Sequence, residues 1–108
     1  MDAITVDKDG NVWVSAGGMI YRCDSTAHII KEYEVGNIQE GYAISNIYVD
    51  QQKQLWAVGS RGIFRYEPET DSFFRYPPLG NGHTAYIMHQ DSSGNYWIGT
   101  WGEGLWQL

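Results

Sequence analysis

Asp7-Lys8-Asp9-Gly10-Asn11-Val12-Trp13-Val14 returns as Asp50-Gln51-Gln52-Lys53-Gln54-Leu55-Trp56-Ala57, and again as Asp91-Ser92-Ser93-Gly94-Asn95-Tyr96-Trp97-Ile98. The three tryptophans stand 43 and 41 residues apart, a period at which four-stranded propeller blades recur and most helical repeats do not. Outward from each tryptophan the same short, β-branched or aromatic runs follow in order, each bounded by Gly, Asp, Asn or Pro. In the first unit they are Ala3-Asp7, Val12-Ser15, Met19-Cys23 and Ile29-Val35. The second gives Ile44-Asp50, Leu55-Gly59, Ile63-Glu67 and Ser72-Tyr76, stopped by Pro77-Pro78, which cannot donate to a ladder. The third gives Ala85-Asp91, Tyr96-Thr100 and Leu105-Leu108. The predicted fold is all-β: propeller blades of four antiparallel strands in an incomplete arc, two full blades plus three strands of a third. Residues 1–108 form one partial propeller, with blades at about 3–35, 44–79 and 85–108.

The turn ahead of each tryptophan needs an acceptor and a residue at positive φ. An Asp side chain accepts the backbone N–H two residues on, and Gly10 and Gly94 take the left-handed conformation without cost. Asp7, Asp50 and Asp91 are therefore turn residues. Lys53 stands where the siblings have glycine, which predicts a different turn in the second blade, the alternative being a strain of about 1–2 kcal/mol. The second strands are apolar without alternation, as a strand covered on both faces by neighbouring blades should be. A buried tryptophan withdraws roughly 150–250 Å² from water, worth up to about 4–6 kcal/mol before entropy is subtracted. Three blades in an open arc would leave two apolar faces bare, whereas closed propellers have about four to eight blades. The missing surface is expected from further blades of the native protein or from other copies of this chain, as a homo-oligomer.

Bulk composition narrows the partners. With 7 basic and 13 acidic side chains the net charge is −6, which repels a phosphate backbone, so nucleic acid is not an expected partner. The single cysteine, Cys23, has no internal disulfide partner and no second Cys or His at a metal-ligand spacing. No run approaches the roughly 20 apolar residues of a membrane span, so no membrane contact is expected in this segment, and Met1-Asp2-Ala3 does not open a signal peptide. An exported protein would hold this chain as an excerpt.

The phrase Gly94-Asn95-Tyr96-Trp97-Ile98-Gly99-Thr100 with Gly104-Leu105-Trp106, echoed by Arg61-Gly62-Ile63-Phe64-Arg65-Tyr66-Glu67-Pro68, resembles the two-component regulator propeller repeat. The resemblance extends over nearly the whole chain. It implies a β-propeller from the periplasmic sensor region of a hybrid two-component histidine kinase, linked to recognition of oligosaccharides from complex glycans. Lys53 departs from the pattern, as does Met19 where the second blade has Gly62, and no kinase, receiver or membrane-spanning sequence is present. The stretch Val6 to Val14 is also similar to blades of virginiamycin B lyase and related propellers. Fold alone does not decide between these.

Residues explained by blade packing are poor site candidates, which removes Trp13, Trp56, Trp97 and Trp106. Trp101 is different: it occupies the slot of Gly17 and Ser60, in a loop one residue longer than its siblings and beside Glu103. An indole beside a carboxylate suits a pyranose, whose apolar face stacks while the acid takes hydroxyl protons. Packing of Trp101 on the next blade is the competing reading. The loops between second and third strands and the connections between blades leave a propeller on one face. That rim would collect Trp101, Glu103, Arg61, Tyr42, Glu40 and His83 as ligand-binding candidates. Arg61 suits a carboxylate or sulfate, or is simply solvated.

No catalytic, metal or cofactor site is expected. Asp7 and Asp9 before Gly10 start like a calcium loop but lack its closing glutamate. The histidines are scattered, and Glu40 with Glu103 is the sole rim pair that a glycosidase could use. The expected function is non-enzymatic ligand sensing, with an oligosaccharide as ligand. The alternatives are a propeller enzyme, lyase-like or glycan-cleaving, and a structural scaffold for assembly.

Overall fold

A computed structural model describes residues 3–16, 18–34, 44–59, 62–75, 85–100 and 104–107. They hold eleven strands: β1 (Ala3–Val6), β2 (Val12–Ala16), β3 (Met19–Cys23), β4 (Ile29–Glu34), β5 (Ile44–Val49), β6 (Leu55–Gly59), β7 (Gly62–Glu67), β8 (Ser72–Arg75), β9 (Ala85–Gln90), β10 (Tyr96–Thr100) and β11 (Leu105–Gln107). Three antiparallel sheets result, ordered β1-β2-β3-β4, β5-β6-β7-β8 and β9-β10-β11. Every strand expected from the sequence is present. Two full blades and three strands of a third stack as an unclosed arc.

The sheets pack through two apolar layers. Between the first and second blades lie Trp13, Ile20, Tyr33, Ile44, Ile47, Leu55, Ala57 and Phe64, and between the second and third lie Trp56, Val58, Ile63, Met88 and Ile98. Strand pleating assigns the sides: Trp13 and Ile20 point forward to the next blade, while Ile47, Ala57 and Phe64, opposite one another across β5, β6 and β7, point back. Burial follows position in the arc. All five residues of β6, in the middle blade, are buried, whereas β2 alternates and β10 buries Ile98 alone. Trp13 and Trp56 are 1% and 2% exposed, but Trp97 is only half-buried. The expectation that all three rings are core thus fails at Trp97, because its forward side meets no fourth blade.

The expected change of turn type at Lys53 is also corrected. Lys53 donates its N–H to the Asp50 carbonyl at 3.0 Å, as Gly94 does to Asp91 at 3.0 Å and Gly10 to Asp7 at 3.2 Å. Its φ is 66°, beside 85° for Gly10 and 90° for Gly94. The second blade keeps the turn and tolerates a lysine in the left-handed region. The reason is the aspartate, whose side chain ties the turn down on its own.

Candidate functional site

Antiparallel alternation brings the described strand ends that flank the β2–β3, β6–β7 and β10–β11 loops and both blade connections to one end of the arc. All six rim candidates, Trp101, Glu103, Arg61, Tyr42, Glu40 and His83, belong to those segments and lie outside the described residues. The bases of the loops are described. Ala16 pairs with Met19 and Gly59 with Gly62, each pair enclosing two residues. In the third blade Gly99 pairs with Leu105, and Thr100 donates both its N–H and its Oγ1–H to the Gly104 carbonyl, at 3.0 and 2.7 Å. Gly104 takes φ 80°, so the chain turns back into β11 through a left-handed residue. Thr100 thus ties the end of β10 to the residue ahead of β11.

At the opposite end each blade aspartate does three things. Asp50 Oδ1 accepts the N–H groups of Gln52 and Gln54 at 2.9 and 2.8 Å, and its Oδ2 accepts the Trp56 indole N–H at 2.9 Å. Asp7 and Asp91 repeat this with Asp9, Asn11 and Trp13, and with Ser93, Asn95 and Trp97. The indole bond holds the Asp91 carboxyl below the usual carboxylate range, assisted by the Asn95 backbone N–H. Asp50 adds a contact across blades, for the Tyr96 hydroxyl of the third blade donates to its Oδ2 at 2.5 Å. The spacing Asp-x5-Trp thus sets turn, ring orientation and, in the middle blade, docking of the next sheet.

A second knot joins the first two blades. Asp71, at φ 53° in the β7–β8 turn, accepts the Tyr33 and Tyr66 hydroxyls on Oδ1 at 2.6 and 2.5 Å and the Lys31 ammonium on Oδ2 at 2.6 Å, with Arg22 Nη1 at 3.8 Å. Lys31, then Tyr33 and Tyr66, hold its carboxyl far below the ordinary range. Burial, with the Asp71 contact second, pushes Tyr66 well above the usual phenol value. The rings of Trp13, Tyr33, Tyr66 and Phe73 pack on one another beneath this knot, with centroids 5.0–6.0 Å apart. A shallow cleft of about 680 Å³ opens beside it, floored by Leu55 and Tyr66 and edged by Asp9, Arg22, Lys53 and Glu67. Asp71 lines it together with Arg22 and Tyr66, so the knot forms part of its wall. Sequence reasoning missed the Asp71 knot because Tyr33 and Lys31 lie 38 and 40 residues away, on a different blade. The available signal was Asp71 in the turn ahead of β8, five residues after Tyr66.

Residues 79–102 match the family model described as two component regulator propeller. The match takes in β9 and β10 and leaves the strands of the first two blades outside it. The matched stretch contains the third-blade aspartate, its tryptophan and Trp101. Among solved structures, the chain is similar to the extracellular domain of BT4673 from B. thetaiotaomicron, described in one structure as a one component system (TM-score 0.80, 24% identity) and in another as a hybrid two component system (TM-score 0.81, 23% identity). Each alignment covers 99% of this chain and 16% of that one, so the chain spans about a sixth of the length of that relative. Virginiamycin B lyase from Staphylococcus aureus is similar at a TM-score of 0.64 and 20% identity, over 98% of this chain and 40% of the lyase. At these identities the likeness establishes the propeller fold. No curated protein matches the chain in sequence.

Proposed function

We propose that this chain is a ligand-sensing propeller segment of the periplasmic region of a hybrid two-component regulator, that it recognises oligosaccharides at its rim, and that it is not catalytic itself. The observation that carries the reading is the family-model match over residues 79–102, which ends on the loop holding Trp101. Its likeness in fold to the BT4673 extracellular domain, at a TM-score of 0.81 over 99% of the chain, supports the same reading. A rigid rim is what sensing requires, since loops held by packed sheets convert ligand contact into a change in how whole blades are arranged. Thr100, with two hydrogen bonds to Gly104, ties the described ends of β10 and β11 together.

The experiment is a thermal-shift panel of neutral and acidic oligosaccharides on the intact chain, with Trp101→Ala alongside. One class of glycan is expected to raise the melting temperature, because a ligand bound only by the folded state stabilises it by mass action. The shift should fall at least tenfold in apparent affinity in Trp101→Ala, as for loss of a stacking platform. No shift with any glycan overturns the recognition reading. Turnover of a bound glycan replaces it with the enzyme reading.

A further inference from the structure

We propose that the cleft between the first two blades, at the turn end of the arc, is a second ligand site, and that it takes a small oxyanion, a carboxylate or sulfate group, between Arg22 and Arg65 with Lys8 and Lys53 at its edge.

Both walls of the cleft belong to described blades. The β1–β2 turn and β3 line it from the first, and the β5–β6 turn, β7 and the β7–β8 turn line it from the second, so neither open face of the arc contributes to it. Its volume of about 680 Å³ falls in the range of roughly 300–1,000 Å³ that small-molecule sites occupy.

The chain concentrates its positive charge here. It has 7 Lys and Arg residues against 13 acids, and Lys8, Arg22, Lys53 and Arg65 all line this one cleft. Lys8, Lys53 and Arg65 take part in no ion pair among the described residues, and Arg22 has only the 3.8 Å approach to Asp71. Arg22 Nε is buried and meets no acceptor there. The nearby aspartates are engaged elsewhere. Asp7 accepts the N–H groups of Asp9 and Asn11 and the Trp13 indole, and Asp71 accepts two tyrosines and Lys31. Asp9 and Glu67 are the remaining acids on the walls, against four cations.

The repeat positions the two arginines alike. Arg22 stands opposite Trp13 and Arg65 opposite Trp56 in the strand registers, with guanidinium carbons 5.6 and 5.9 Å from the ring centroids. A guanidinium resting on an indole is oriented before a ligand arrives, and its planar fork matches the two oxygens of a carboxylate or sulfate. Blade packing does not demand the arginine, since the third blade has Gln107 opposite Trp97. Nor does the turn demand a lysine at position 53, where φ is 66° and both siblings have glycine. A side chain kept in the left-handed region is a strain that functional sites retain, and at this place it puts an ammonium group at the cleft. The cleft lies at the end opposite the rim and is independent of what the rim binds.

Nuclear magnetic resonance of the isotope-labelled intact chain reads the site, because the indole N–H signals of Trp13 and Trp56 report the rings beneath the two guanidinium groups. Sulfate, glucuronate and uncharged glucose are titrated at an ionic strength held constant with sodium chloride, which removes screening as a variable. Sulfate or glucuronate is expected to shift the Trp13 and Trp56 signals saturably, with glucose silent and Trp97 unmoved. Response to glucuronate alone makes the bound group a carboxylate, and response to sulfate alone makes it a sulfate. Arg65→Gln should weaken binding at least tenfold, as for loss of a bidentate charged contact. Lys53→Gly should weaken it about threefold, as for an exposed ion pair, while the chain becomes no less stable, which separates loss of a ligand contact from loss of fold. Absence of a saturable shift at Trp13 and Trp56 with both anions overturns the proposal, as do equal shifts with glucose or undiminished binding by Arg65→Gln. A shift confined to the Trp101 indole reports the rim and overturns the cleft as the site.

Discussion

At the residue scale the repeat is written in aspartate more than in tryptophan. A carboxylate with one oxygen on two backbone N–H groups and the other on an indole fixes where the strand turns and how the ring enters the next layer. This explains why Lys53 can hold φ 66° in a turn that its siblings give to glycine. The left-handed conformation costs a side chain about 1–2 kcal/mol, partly offset by the smaller entropy of the unfolded lysine, so Lys53→Gly is expected to stabilise the chain by about 1 kcal/mol in urea unfolding. The aspartates themselves are not equivalent. Asp50 is 3% exposed and its carboxylate also accepts Tyr96 from the next blade, whereas the carboxylate of the half-buried Asp91 has among the described residues only partners of its own blade, the second blade reaching its backbone carbonyl through Gln51 Nε2 at 2.7 Å. Asp50→Ala strands a buried indole N–H, a hydroxyl and two amides and should cost about 3 kcal/mol or more; Asp91→Ala should cost about 1 kcal/mol. Equal losses in parallel unfolding curves would contradict the cross-blade role of Asp50.

At the scale of the elements, the strands were legible because every one is short, apolar and bracketed by turn residues, and because three aligned copies correct one another. The registers Trp13 to Arg22 and Trp56 to Arg65 repeat so closely that one blade predicts the next. What lay beyond reading was contact between elements of different blades. Asp71 gathers Tyr33, Lys31 and Tyr66, and no spacing rule connects a turn residue to a strand in the preceding sheet. The rim candidates were chosen by subtracting the repeat, which finds where the blades differ without saying what the difference touches. The Asp71 knot gives the contact between the first two blades a dependence on pH. Its carboxyl is held far below the usual range in the fold, so its contribution is complete above the unfolded value of about 3.9 and is lost as pH falls from there toward the folded value. Melting temperature is therefore expected to drop more steeply below about pH 4 in the wild-type chain than in Asp71→Asn, a substitution whose side chain also accepts a left-handed backbone. At neutral pH the same variant should lose about 1 kcal/mol, a charged hydrogen bond reduced by solvent screening. Parallel pH profiles for the two proteins would remove the knot from any account of stability.

On the scale of the whole molecule, the arc is a stack in which each sheet is stabilised by what lies before and behind it. The same side chain then has a different value at each place. Ile20, Ile63 and Leu105 occupy one register in successive blades, at 0%, 0% and 67% exposure. Truncating Ile20 or Ile63 to alanine removes a fully buried side chain and leaves a cavity, which should cost about 2–5 kcal/mol. Leu105→Ala removes a side chain already in water and should stay within about 0.5 kcal/mol of wild type. Denaturant unfolding of the three variants measures how steeply stability falls toward the open end, and a loss at Leu105 equal to that at Ile20 would contradict the gradient.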